Sequence, residues 1–120
     1  MSRTYPNSDV VRAVIKDLDD GRAPERTALR DAVRALLGEL SLVAPGRSVE
    51  VRVPPFGAVQ CIDGPRHTRG TPPNVVETDA VTWIKVATGR LGFADLVADG
   101  VIRVSGTRSD LSAYLPLPGH

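Results

Sequence analysis

The sequence predicts an α+β domain with a largely antiparallel sheet and helices packed on one face. Apolar residues recur at helical spacing through the first forty residues, and from Arg47 onward the pattern changes to alternation with period two. A third observation comes late in the chain, where residues 101–105 alternate between Gly100 and Gly106 and are bounded by them as a short strand. Helices first, then a meander of strands, then helix and strand together is the order expected of helices covering one side of an antiparallel sheet.

Each element has its own warrant. Val10, Val11, Val14, Ile15 and Leu18 make a helical stripe, with Ser8 or Asp9 as its cap and Asp19-Asp20-Gly21 closing it. Pro24 opens the second helix, because its missing N–H would have no partner at a first helical position, and Glu25 then meets the positive end of the helix dipole. Leu29, Val33, Leu36, Leu37 and Leu40 form the apolar stripe of this helix, opposite Arg26, Arg30, Asp31 and Arg34. Gly38 costs about 1 kcal/mol relative to Ala inside a helix, which predicts a close neighbour there.

In the middle of the chain Val49, Val51 and Val53 alternate with Ser48, Glu50 and Arg52 as a half-buried strand stopped by Pro54-Pro55. A second strand, 58–62, follows Phe56-Gly57 through a hairpin connection, with Val59 and Cys61 on one face. Asp63-Gly64-Pro65 is a turn, the following HTRGTPP is polar and broken, and Val75-Val76 make a third, short strand. Asp79 caps a helix carrying Val81, Trp83, Ile84 and Ala87, and Gly89 is its left-handed stop. A shorter helix over 93–98 presents Phe93, Leu96 and Val97 and ends at Gly100. The strand 101–105 sets Ile102 and Val104 on one face and Arg103 on the other. Ser109 or Asp110 caps a final helical turn through Leu111, Tyr114 and Leu115, halted by Pro116.

A length of 120 residues predicts one domain, with a helical pair over 1–45 and the sheet and C-terminal helices over 46–120. A net charge of +1 provides no general attraction for nucleic acid or an anionic membrane. Thirteen of the fifteen basic residues are arginine, with only Lys16 and Lys85 as lysines. The lone cysteine excludes a disulfide framework and a cysteine-based zinc site and points to a reducing cytoplasm. The N-terminal MSRTYPNSDVV has no continuous apolar stretch, so no signal peptide is expected, and no run approaches the roughly 18 apolar residues of a membrane helix. With two Phe, one Trp and two Tyr, the core must be built from Val, Leu, Ile and Ala.

Catalytic and metal chemistry find little footing. No His, Asp and Glu occur at a spacing such as HExxH, and no catalytic residue, metal site or cofactor is expected. Cys61 and His67 lie six residues apart around a turn, but Cys61 shares its strand face with Val59, and a small buried core thiol is the preferred reading. Residues 64–70 offer a weaker, different possibility. Arg66, His67 and Arg69 between two glycines could form a backbone nest with guanidinium arms for a small anionic metabolite or an acidic partner, as in a regulatory or interaction module. A solvent-facing connection is the preferred reading of that loop.

Apolar helix faces exceed what a small sheet can receive, and such a layout can leave a cavity between helices and sheet. Trp83, Ile84, Ala87, Leu91, Phe93, Leu96 and Val97 place apolar groups on two short helices joined through Gly89. Val59 and Cys61 face them from the sheet, and Leu111 and Tyr114 from the final turn. These eleven residues are the expected apolar ligand site, set against the competing expectation that they close over one another as a filled core.

From Trp83 the chain reads WIKVATGRLGFADLVADGVIRVSGTRSDLSAYLPL. This resembles the C-terminal half of the sterol carrier protein family, in which a helix ends in a Thr-Gly-(Lys/Arg)-Leu turn and a short helix, a Gly-bounded strand and a last apolar helix follow. Thr88, Gly89, Arg90 and Leu91 match the turn, Gly100, Ile102, Val104, Ser105 and Gly106 the strand, and Leu111, Tyr114 and Leu115 the last helix. The stretch GPRHTRGTPPNVVETD is similar to that of short actinobacterial members. The resemblance implies about five strands with helices enclosing an apolar tunnel for lipids, fatty acyl chains or sterol-like ligands, with no cofactor and no catalytic residue. Non-enzymatic binding or transfer of a small apolar ligand is the function it implies.

Overall fold

An apolar stripe on a long helix and alternating valines on a strand must bury one another, and that pairing organises the chain. The computed structural model describes residues 6–64 and 74–120. Two helices, α1 (Pro6–Asp19) and α2 (Arg26–Val43), lead into the strands β1 (Val49–Val53), β2 (Gly57–Cys61) and β3 (Asn74–Glu77). Then come α3 (Ala80–Ala87), α4 (Phe93–Ala98) and β4 (Arg103–Ser105).

The α2 stripe is buried as its spacing predicts. Val33, Leu36, Leu37 and Leu40 are withdrawn from solvent, with Ala32 beside them, while Val11 and Val14 of α1 close over the other side. Both helix starts differ from expectation. α1 begins at Pro6, ahead of Ser8 and Asp9, because proline itself serves as a first-turn residue. α2 begins at Arg26 and not at Pro24, with Glu25 in extended conformation at the N-cap position and making no side-chain cap bond. Gly38 also differs, since a Cβ built there meets nothing within 4 Å. Its helix-propensity cost is therefore uncompensated by packing. Gly38→Ala is expected to raise stability by about 0.5–1 kcal/mol, read as a higher urea midpoint at unchanged slope, and an unchanged or lower midpoint would count against it.

The sheet has the order β2-β1-β3-β4. β2 turns back antiparallel on β1, pairing Val49 with Cys61 and Val51 with Val59. The chain then passes to the other side of β1, so β3 runs parallel to it, with Val51 opposite Val76. β4 closes the order antiparallel to β3, with Val76 opposite Val104. The sheet is thus largely antiparallel with one parallel pair, and it has four strands among the described residues where about five were expected. Val49, Val51 and Val53 are fully buried because β1 is central and lies beneath the helices. The opposite face carries Glu50, Arg52, Glu77 and Arg103, which pair as Arg52–Glu50 and Arg103–Glu77. Only one face is covered.

The last segment departs most. β4 spans three residues, and the stretch after it makes a turn, with the Tyr114 N–H donating to the Leu111 carbonyl at 2.9 Å, in place of a helix. Pro116 and Pro118 leave too few backbone donors for a helix to propagate. Leu111 and Leu117 are nevertheless buried. The segment packs onto the core as a run of turns.

Below β1, a polar junction joins segments distant in sequence. The buried Asn74 donates from Nδ2 to the Ser48 carbonyl at 2.8 Å and accepts the Arg108 N–H on Oδ1 at 2.9 Å. Ser48 donates from its N–H, at 3.0 Å, and from its hydroxyl, at 2.7 Å, to the Ile62 carbonyl. These bonds satisfy polar groups that burial would otherwise leave costly. Ile62 itself has a φ of 64°, a strained value for a β-branched residue.

Candidate functional site

α4 is too short to be stable alone, and its stop signals place it. Gly92 is its N-cap and Gly100, at a φ of 77°, follows its C-cap Asp99. Phe93 anchors its first turn in the core, and Leu96 and Val97 are half-buried against the same cluster. Ala94 and Ala98, one turn apart, therefore face outward, and β4 lies beyond them. Val104 shares its sheet face with the buried Val76, yet it remains 40% exposed. The reason is its position on the edge strand, beyond the cover of the longer helices. Ile102 and Val104, expected on one face, differ in exposure, since Ile102 is buried and Val104 is not.

Between α4 and β4 the surface sinks into a groove of about 400 Å³. Phe93, Ala94, Val97, Ala98 and Val104 form an apolar wall, and Gly106, Thr107, Ser109, Asp110 and Ser112 form the rim. The rim is built by local hydrogen bonds. Ser109 donates its hydroxyl to the Ser105 carbonyl, and the Ser112 N–H donates to Asp110 Oδ1 at 2.9 Å. The Ser112 hydroxyl and, after it, this N–H hold the Asp110 carboxyl below the usual range, so it is ionised at neutral pH. An apolar wall with hydroxyls and one carboxylate at its mouth suits a molecule with an apolar body and a polar end. A second concavity of about 410 Å³, lined by Pro54, Glu77, Thr78, Asp79, Gly100, Val101 and Arg103, has no comparable apolar wall.

The eleven sequence-derived ligand residues distribute unevenly around this groove. Phe93 and Val97 line it directly. Leu96 is half-buried against the core, and Leu91 is exposed; neither lines the groove. Cys61, Trp83, Ile84, Ala87 and Leu111 are buried in the core, where Trp83 donates its indole N–H to the Val33 carbonyl at 3.3 Å. Val59 and Tyr114 are partly buried against that core. Burial pushes the Cys61 thiol up to about 11, the state of a packing group and not of a nucleophile. Arg66, His67 and Arg69 lie outside the described residues. Ala94, Ala98 and the hydroxyl-bearing rim went unnoticed in the sequence, where the one available signal was two alanines one turn apart beside Val97.

Among the described residues no group of three His, Cys, Asp or Glu could hold a metal ion, and no helix is long and apolar enough to cross a membrane. In comparison with known proteins, a family model described as "Bacterial SCP ortholog" matches residues 25–117, from the N-cap of α2 to the buried Leu117. None of the curated proteins searched matches the chain.

Proposed function

Because the chain belongs to the bacterial SCP ortholog family, we propose that it binds a small apolar ligand reversibly, as a carrier, without chemistry on it. The ligand class is an acyl chain or a sterol-like body with a polar end, and the proposed seat is the groove between α4 and β4. The observation that supports this seat most is the apolar wall of Phe93, Ala94, Val97, Ala98 and Val104 beneath a rim of hydroxyls and the Asp110 carboxylate. Its two sides differ in rigidity. β4 is hydrogen-bonded along its length to β3, whereas α4 is six residues long and is joined to the chain entering β4 only where the Leu96 carbonyl accepts the Val101 and Ile102 N–H groups, at 2.9 and 3.1 Å. Separating α4 from Val104 therefore needs few contacts to break, which suits entry of a ligand.

Each methylene buried in the groove contributes about 0.8 kcal/mol before the cost of ordering the chain. Affinity should therefore rise with chain length until the groove is filled. The test is displacement of a fluorescent fatty acid, with native mass spectrometry of freshly purified protein for a retained lipid. Ala98→Trp places a ring across the groove from an exposed position, so the fold is kept while the seat is filled. Apparent affinity is expected to fall by about tenfold or more, the loss of roughly two buried methylenes. Equal affinity of this variant with an unchanged thermal midpoint would move the ligand elsewhere, and absence of apolar binding at micromolar protein would end the carrier reading.

A further inference from the structure

We propose that the concavity between the first half of α2 and the β1–β2 turn is a phosphate-binding site, separate from the apolar groove. Arg26, Arg30 and Arg34 stand one turn apart on one face of α2, and all three line a cavity of about 240 Å³ completed by Thr27, Pro55 and Phe56. Like charges one turn apart weaken a helix, and the packing of α2 has no need of them, since Val33, Leu36, Leu37 and Leu40 carry its buried stripe.

Two of the three guanidinium groups, those of Arg26 and Arg34, are held in place by the hairpin. Arg26 lies over the Phe56 ring at 5.1 Å from its centre, and Arg34 donates from Nε to the Phe56 carbonyl at 2.8 Å. Anchoring through Nε leaves the Nη groups of Arg34 for another acceptor. Arg30 pairs with Asp31 at 3.1 Å, but both side chains are about two-fifths exposed, and such a pair yields readily to a doubly charged anion. Glu25 makes no side-chain cap bond, so it does not occupy the N–H groups of the first turn of α2, which add positive potential to the same end. Planar guanidinium forks around a small concavity match the oxygens of a phosphate group. Three cations around the cavity do not suit an acyl chain.

The full chain is titrated with inorganic phosphate at low ionic strength and followed by amide NMR at Thr27, Phe56 and Gly57, with chloride at matched ionic strength as reference. Saturable shifts at these amides are expected. Arg26→Gln/Arg30→Gln is expected to weaken binding by about tenfold or more. Arg12→Gln/Arg103→Gln removes the same charge from exposed sites elsewhere and should keep the affinity. Phosphatidylcholine vesicles with and without phosphatidic acid separate two sources of the group. Tighter binding to the phosphatidic acid vesicles than to inorganic phosphate identifies a lipid headgroup, and equal or weaker binding a soluble phosphate; both support the site. Urea midpoints of the two double variants distinguish lost binding from lost fold. Shifts that fail to saturate, or equal loss of affinity in both double variants, would overturn the proposal.

Discussion

Trp83→Ala is expected to cost about 3–5 kcal/mol, the largest loss from any single truncation in this core. The side chain is 2% exposed, and it is the one tryptophan in a core built mostly of aliphatic groups, with Phe56 and Phe93 as the other buried aromatics. Removing it leaves a void between α3 and α2 that short neighbours such as Ala32, Ala80 and Ala87 cannot reach to fill. It also deletes the indole N–H that joins α3 to the Val33 carbonyl. Against a total stability of about 5–15 kcal/mol, the variant would be folded only marginally. Trp83→Phe keeps most of the apolar volume and should lose only about 1–2 kcal/mol. Urea denaturation followed by far-ultraviolet circular dichroism reads both variants, because the fluorescent group is gone. A loss below about 1.5 kcal/mol for the alanine variant would mean that α2 and α3 collapse onto each other without the ring.

Gly46→Ala should be the most damaging change outside the core. Gly46 has a φ of 147°, and a Cβ there would lie 2.2 Å from the carbonyl carbon and oxygen of Ile62 and 2.3 Å from the amide nitrogen of Asp63. These are backbone atoms and cannot rotate away. Nor can the strand end yield, since the Ile62 N–H donates to the Ala44 carbonyl at 2.7 Å and the Ile62 carbonyl accepts the Ser48 N–H at 3.0 Å. Backbone strain and overpacking each cost about 1–3 kcal/mol, so a loss of roughly 2–5 kcal/mol is expected. Gly100→Ala is the control, with a φ of 77° but nothing within 4 Å of its Cβ, and should lose only about 1–2 kcal/mol. Equal midpoints for the two variants in chemical denaturation would refute the close approach at Gly46.

The helices were legible where periodicity was long. Eighteen residues of α2 repeat the apolar stripe often enough to specify which side is buried, and Gly89 and Gly100 mark the ends of α3 and α4 by a backbone requirement that other residues meet only with strain. The misplaced starts of α1 and α2 follow from ambiguity among several adequate cap residues, which differ by little energy. Residues 111–115 carried an apolar spacing that fits a helical turn, but one turn has no cooperative strength, and the prolines beyond it decide the outcome.

The site was less legible, for a different reason. Phe93 and Val97 were recognisable as apolar residues on a short helix, but Trp83, Ile84 and Ala87 carry the same signature and are buried in the core. Nothing local separates a residue that fills a core from one that walls a groove. The difference arises because β4 is the last strand in the order β2-β1-β3-β4, so Val104 emerges from beneath the helices while its partner Val76 does not. The arginine face of α2 was likewise visible as a polar stripe, and only the return of the β1–β2 turn, which brings Phe56 under Arg26, makes it concave.

By itself the sequence determined the α+β class, the buried stripe of α2, the strand alternation of β1 and the glycine-bounded ends of α3 and α4, because each depends on contacts or dihedral preferences within a few residues. Tertiary structure alone decided the parallel pairing of β1 with β3, the clamp of Asn74 and Ser48, and the placing of a groove at the edge strand. Those depend on which distant segments become neighbours, and that is settled by the collective burial of the whole chain and not by any local pattern.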